Sequence, residues 1–118
     1  MNKEKILIIE DDQTFALYLS DHLNSEYSVK TANNYAEAEV TLEERWPDFV
    51  ILDYFLPDKN GDEIFETIRG KWPGVKVVIL SANESSKTVI KLIRLGVSDY
   101  VMKDEKAVRE IKNILKDK

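Results

Sequence analysis

Four short stretches of this sequence carry side chains that could do chemistry together. Glu10, Asp11 and Asp12 follow the apolar run KILII. Asp53 follows FVIL, Ser81 follows VKVVIL, and Lys103 follows DYVM. Carboxylates brought close together repel, so they must bind a cation or take up protons. Hard oxygen ligands with no cysteine and a single histidine in the chain favour magnesium, or manganese, over zinc or copper. A carboxylate beside a divalent ion and a lysine suits phosphoryl transfer, where catalysis is mostly positioning and neutralisation of charge on the equatorial oxygens. In that chemistry Asp53 is the nucleophile, the ion offsets its repulsion with the incoming group, and Ser81 and Lys103 hold the other phosphoryl oxygens.

Whether these residues meet depends on the elements that carry them. Strands are expected over Lys5–Ile9, Tyr27–Ala32, Phe49–Leu52, Val75–Leu80 and Asp99–Met102. The first, third and fourth are apolar without alternation, the pattern of strands buried on both faces of a parallel sheet. Between them run stripes of helical period: Phe15, Leu19 and Leu23; Tyr35, Ala38 and Leu42; Ile64, Phe65 and Ile68; Val89, Ile90 and Ile93; Val108, Ile111 and Leu115. Asn34 with Glu37 three residues on has the form of a capping box. Pro47 and Gly70 follow the second and third helices, Gly96 stands where a left-handed C-cap is wanted after the fourth, and Asp104 can cap the fifth. Strands alternating with helices imply an α/β, doubly wound sheet with right-handed crossovers. Ligands bind beyond the carboxyl ends of such strands, which is where the acids, the serine and the lysine fall. No linker or repeat interrupts the chain, so residues 1–118 read as one domain.

Composition narrows the function. The chain has 118 residues, 43% hydrophobic and 33% charged, as a folded globular protein requires. Its formal net charge of −5 argues against direct nucleic-acid binding through a broad basic surface. No apolar run approaches a membrane span. The first one meets Glu10-Asp11-Asp12 too soon for a secretory signal. Absence of cysteine excludes disulfides and is compatible with a cytoplasmic location.

Taken in order, IIEDD, LDYFLPDKNG, ILSAN and GVSDYVMKD resemble the receiver domains of two-component response regulators. Each motif alone is weak; together, each at a strand end, they are specific. The resemblance implies a five-stranded parallel sheet in the order 2-1-3-4-5, with five helices, of the flavodoxin-like type. It implies that Asp53 is the phosphoacceptor, and that Mg2+ (or Mn2+) is held by Asp11 directly, Glu10 through water, Asp53, and the backbone carbonyl of Phe55. Ser81 then matches the switch hydroxyl with the small Ala82 beside it, Lys103 the active-site lysine, and Tyr100 the aromatic switch residue. The implied phosphodonor is a histidine kinase or a histidine phosphotransfer protein in a phosphorelay. The implied reader is an output domain or downstream protein, with a homodimer through the fourth helix, fifth strand and fifth helix as a further expectation. Such a chain is a switch that assists its own phosphorylation and dephosphorylation, rather than an enzyme turning over a metabolite.

Other readings stand beside these. Asp12 is either a metal ligand or only the N-cap of the first helix, a position that favours Asp on capping grounds alone. Ser81 by itself could cap a helix, Lys103 by itself could be a surface lysine, and Tyr100 could simply pack. A phosphohydrolase with a transient aspartyl phosphate calls for an acid two residues after the nucleophile, where this chain has Phe55, which cannot transfer a proton. A docking module that ignores phosphate would not need all five polar residues. His22 reads as a surface residue, and Trp46 and Trp72 as packing anchors before prolines. Leu56–Gly61 reads as a turn. Receivers commonly follow the lysine with a proline in a cis bond; here Asp104 follows Lys103. A cis bond before a non-proline residue costs about 2.5–4 kcal/mol, so a trans Lys103–Asp104 bond is expected, with the fifth helix starting at or just after Asp104.

Overall fold

The computed structural model describes residues 3–82, 85–97 and 99–117. Strands and helices alternate: β1 (Lys5–Ile9), α1 (Gln13–Leu23), β2 (Ser28–Ala32), α2 (Tyr35–Glu43), β3 (Phe49–Asp53), α3 (Gly61–Lys71), β4 (Lys76–Ser81), α4 (Ser86–Arg94), β5 (Tyr100–Met102) and α5 (Ala107–Lys116). The five strands form one parallel sheet in the order β2-β1-β3-β4-β5, as the motif pattern implied. Alternate residues of the apolar strands face opposite sides, and both sides are covered. On one side Ile6, Ile8, Ile51, Val78 and Leu80 pack under α1 and α5. On the other, Leu7, Ile9, Val50, Leu52 and Ile79 pack under α2, α3 and α4.

Several boundaries move for physical reasons. Tyr27 lies before β2 rather than in it, and its ring is buried in the core. Gly70 does not end the third helix; α3 runs on through Lys71 to a C-cap at Trp72, whose ring is buried. Gly96 does take the left-handed conformation, at φ 86°. The expected stripe of the fourth helix is wrong by phase. Leu92 is the buried anchor, while Ile90 and Ile93 are 48% and 67% exposed. The neighbouring Leu95 and Val97 supply apolar contact that the stripe assigned to the helix itself.

With one large buried side chain, α4 gains about 1.5–3 kcal/mol from apolar burial, against two such residues on α5, Ile111 and Leu115. Polar contacts from α3 hold it as well. Asp62 pairs with Lys91 at 2.8 Å, and the Arg69 guanidinium donates to the Leu95 carbonyl at 2.6 Å. Lys91 draws the Asp62 carboxyl below its ordinary range; the Asp62 carboxylate, with the Tyr54 hydroxyl nearby, raises the Lys91 ammonium. Solvent screens an exposed ion pair strongly, so these contacts orient α4 more than they anchor it.

The β3–α3 connection closes on itself. The Gly61 N–H donates to the Tyr54 carbonyl at 2.9 Å, and Phe55 bridges Asn60. A side chain at residue 61 would place its Cβ 2.7 Å from Tyr54 Cα and 2.9 Å from Tyr54 O. Backbone atoms cannot yield as a flexible side chain can. Gly61→Ala is therefore expected to lower the unfolding free energy by about 1–3 kcal/mol, the usual cost of overpacking. Urea denaturation checks this, and an unchanged midpoint would show that the loop has slack.

Candidate functional site

Register brings the polar residues together. Ile9 pairs with Leu52, so the next residues, Glu10 and Asp53, leave adjacent strands side by side. Asp53 pairs with Leu80 and Ser81 with Met102, which sets Ser81 and Lys103 at the next two strand ends. Ligand oxygens of Glu10, Asp11 and Asp53 all lie within 4.8 Å of one another, the spacing a divalent ion needs. Glu10, Asp53 and Ser81 are buried at 0%, 2% and 0% exposure, while Asp11 is open to solvent.

Each side chain is aimed by a local contact. Glu10 Oε2 accepts the Asp12 N–H at 3.0 Å. Asp53 Oδ1 accepts the Phe55 N–H at 3.1 Å, and Oδ2 accepts from Lys103 Nζ at 3.1 Å. The same ammonium stands 2.6 Å from Glu10 Oε1, at the distance of an ion pair but outside the angle of a hydrogen bond. Glu10 Oε1 therefore has the Lys103 ammonium as its charged neighbour. Burial first, and then the Asp53 carboxylate beside it, push Glu10 up to about 7, against the opposing pull of Lys103. Burial alone would lower the Lys103 ammonium; Glu10 and Asp53 outweigh it and hold it above its ordinary value.

Asp12 resolves to a cap. Its Oδ1 accepts the N–H groups of Thr14 and Phe15 at 3.0 and 3.2 Å, at the start of α1. It also stands outside the acidic cluster found among the described residues. Ser81 is the last residue of β4 rather than a helix cap; Ser85 caps α4, and Asn83 and Glu84 lie outside the described residues. Tyr100 is half-buried against the α2–α3–α4 side of the core, and its hydroxyl lies 3.4 Å from Met102 Sδ. His22 is an exposed residue of α1, with Nδ1 2.9 Å from the Tyr18 carbonyl. Trp46 packs beneath the Lys30 ammonium.

The departure at residue 104 has a structural answer. No peptide bond among the described residues is cis, so Lys103–Asp104 is trans. The fifth helix begins later than expected, at Ala107. A turn intervenes in which Asp104 Oδ1 accepts the Lys106 N–H at 2.8 Å and the Asp104 carbonyl accepts the Ala107 N–H at 3.1 Å. Lys103 is aimed by this turn, by its own N–H on the Ser81 carbonyl at 3.0 Å, and by the Phe15 ring 5.6 Å beneath its ammonium. Sequence reasoning left Phe15 as a core residue, because its nearness to Lys103 arises only when α1 and β5 share a face of the sheet. It also left Asp58 as a turn residue. The Asp58 carboxylate in fact accepts two N–H groups of α2, 22 and 23 residues away in sequence.

Glu10 provides a pH test. A carboxyl whose folded value is raised binds protons more tightly in the folded state, so its contribution is full below the ordinary carboxylate range and is lost as pH rises through about 7. Glu10→Gln mimics the protonated form. In metal-free buffer the variant should gain thermal stability over the parent chain between about pH 5 and about pH 8. A gap that stays constant across that window, or shrinks, would show that Glu10 is ionised at no cost.

Comparison with known proteins agrees with this geometry. The family model for the response regulator receiver domain matches residues 6–116. The transcriptional regulatory protein KdpE of Staphylococcus aureus is 34% identical over 102 residues, spanning 86% of this chain and 44% of that protein. Hybrid signal transduction histidine kinase D of Dictyostelium discoideum is 30% identical over 119 residues, spanning 97% of this chain and 8% of that protein. The chain thus spans less than half the length of either relative. A CheY-like receiver domain protein from Methanospirillum hungatei shares the fold, with a TM-score of 0.87, 24% identity and coverage of 98% of this chain and 94% of that one. With the family model spanning all five strands except Lys5 at the start of β1, and all five helices, this chain belongs to the response regulator receiver domain family.

Proposed function

We propose that the chain takes a phosphoryl group onto an Asp53 carboxylate oxygen from a phosphohistidine of a histidine kinase or phosphotransfer protein. The observation that carries this reading is the meeting of Glu10, Asp11 and Asp53 within 4.8 Å, with one ammonium against both buried acids. As the new O–P bond forms, the P–N bond breaks and the imidazole leaves with the electron pair.

Receiver domains bind Mg2+ at an acidic pocket, and the donors here fit a hard cation: oxygens of three carboxylates within 4.8 Å of one another, and no nitrogen or sulfur among them. Asp11, Asp53 and the Phe55 carbonyl would hold the ion directly, and Glu10 through water. When bound, the ion supplies positive charge that offsets repulsion between Asp53 and the phosphoryl oxygens. Lys103 moves from the Asp53 carboxylate to a phosphoryl oxygen, and its bond to Ser81 through the backbone keeps β4 and β5 in register meanwhile. Phe55 two residues after the acceptor offers no acid or base for rapid hydrolysis, which favours a switch over a phosphohydrolase.

In this reading the Ser81 hydroxyl turns toward the phosphoryl group and Tyr100, on the next strand, turns into the space this leaves. The supporting facts are their positions. Ser81 is buried at the end of β4, and Tyr100 is half-buried on β5 two residues before Ser81's partner Met102. The output face is α4, β5 and α5, where Ile90 and Ile93 stand exposed on the helix with the fewest buried anchors. A homodimer or an output partner would cover them.

Two measurements test the transfer reading. Acetyl phosphate with Mg2+ should add one phosphoryl mass, and Asp53→Asn should abolish the addition; full labelling of that variant would sink the assignment. Asp11→Ala should weaken Mg2+ binding at least about tenfold, since it removes a ligand and a charge. Equal affinity by calorimetry would place the ion elsewhere.

A further inference from the structure

The segment between Asp53 and α3 is fixed at two places. Its base is closed by the Gly61 N–H on the Tyr54 carbonyl and by the Phe55–Asn60 bridge. Its tip is tied to another element altogether. Asp58 Oδ1 accepts the Tyr35 N–H at 3.1 Å and Oδ2 accepts the Ala36 N–H at 3.1 Å. These belong to the first residues of α2, whose N–H groups have no partner within the helix. The other caps of that helix are local: Asn34 Oδ1 takes the Glu37 N–H at 2.8 Å, and Glu37 Oε1 takes the Asn33 N–H at 2.9 Å. Asp58 is thus the cap that comes from the active-site loop. Its negative charge suits the positive end of the helix dipole. Beside it, the Lys59 ammonium lies 4.6 Å from the centre of the Tyr35 ring.

We propose that Asp58 is a positioning residue for the metal site, tying the loop tip to α2 and so holding the Phe55 peptide in the orientation the ion requires. This rests on the magnesium reading above. Phe55 is the inner end of the tethered segment. Its N–H holds Asp53 Oδ1 at 3.1 Å, and its carbonyl is the ligand assigned to the ion. A backbone carbonyl has no rotamer of its own; only the path of the chain aims it. With the tip free, residues 56–59 lose their anchor, and the Phe55–Asn60 bridge is left to hold the Phe55 peptide alone. Ion affinity then falls because the ordering of the carbonyl must be supplied on binding.

The test is calorimetric titration of MgCl2 into the unphosphorylated chain, with phosphorylation by acetyl phosphate measured across Mg2+ concentrations. Asp58→Ala should weaken Mg2+ binding roughly tenfold, the lower end of the loss seen when an outer partner of a metal ligand is removed. The Mg2+ concentration that gives half-maximal phosphorylation should rise by a similar factor. Asp58→Asn keeps one acceptor oxygen and should show a smaller loss, which preserves the test if the alanine variant folds poorly. Asn34→Ala is the control, because it strips a cap from the same helix without touching the loop, and its Mg2+ affinity should equal that of the parent chain. Unchanged affinity in both Asp58 variants overturns the proposal, as does an equal loss in Asn34→Ala, which would assign the effect to α2 at large. A parent chain that binds no Mg2+ would instead remove the metal site itself, and Asp58's role with it.

Discussion

Repulsion among Glu10, Asp11 and Asp53 is the constraint on which the rest of the molecule depends. Two of these carboxylates are buried, and carboxylates buried side by side cannot all ionise without a cation. Among the described residues one ammonium, that of Lys103, faces both of the buried acids. It only partly offsets their burial and, after it, their closeness, since Glu10 still stands at about 7 rather than in the carboxylate range. A site left short of positive charge in this way is poised for a divalent ion.

The fold serves this arrangement by making the strand ends rigid and the far edge loose. β1, β3 and β4 are buried throughout most of their length, so the spacing of Glu10, Asp53 and Ser81 is set by backbone hydrogen bonds between packed strands. α4, by contrast, has one deep apolar anchor in Leu92 and is oriented by ionic and capping contacts from α3. Tyr54 adjoins Asp53 in sequence and, with Asp62 as the larger cause, helps to raise the Lys91 ammonium of α4.

The turn after Lys103 shows how a departure from a common motif is absorbed. Proline would fix the chain there by its ring; Asp104 does so with its carboxylate, which accepts the Lys106 N–H. The consequence is a turn ahead of α5 and a later start for the helix. The lysine itself keeps its reach to Asp53, because the Ser81 carbonyl and the Phe15 ring hold it from two sides.

Much of this was legible in the sequence. Continuous apolar runs ending in Glu10, Asp53 and Ser81 determine a parallel sheet with those residues at its carboxyl edge, because only strands covered on both faces are apolar without alternation. The order of acid pair, Asp53, hydroxyl and lysine along those strand ends carries the resemblance to the receiver family. Phase and long-range pairing were decided elsewhere. Ile90 and Ile93 fit a helical stripe as well as Leu92 does, and only the position of the sheet beneath α4 selects the leucine. Asp12 has the residue type of either ligand or cap, and the path of α1 turned it to the cap. Asp58 reads as a turn residue from any local window, and its hold on α2 exists only because β1 lies between β2 and β3 in the sheet, bringing the start of α2 to the active-site loop. Local sequence sets what each side chain can do; which partner it finds across tens of residues depends on packing that no local pattern contains.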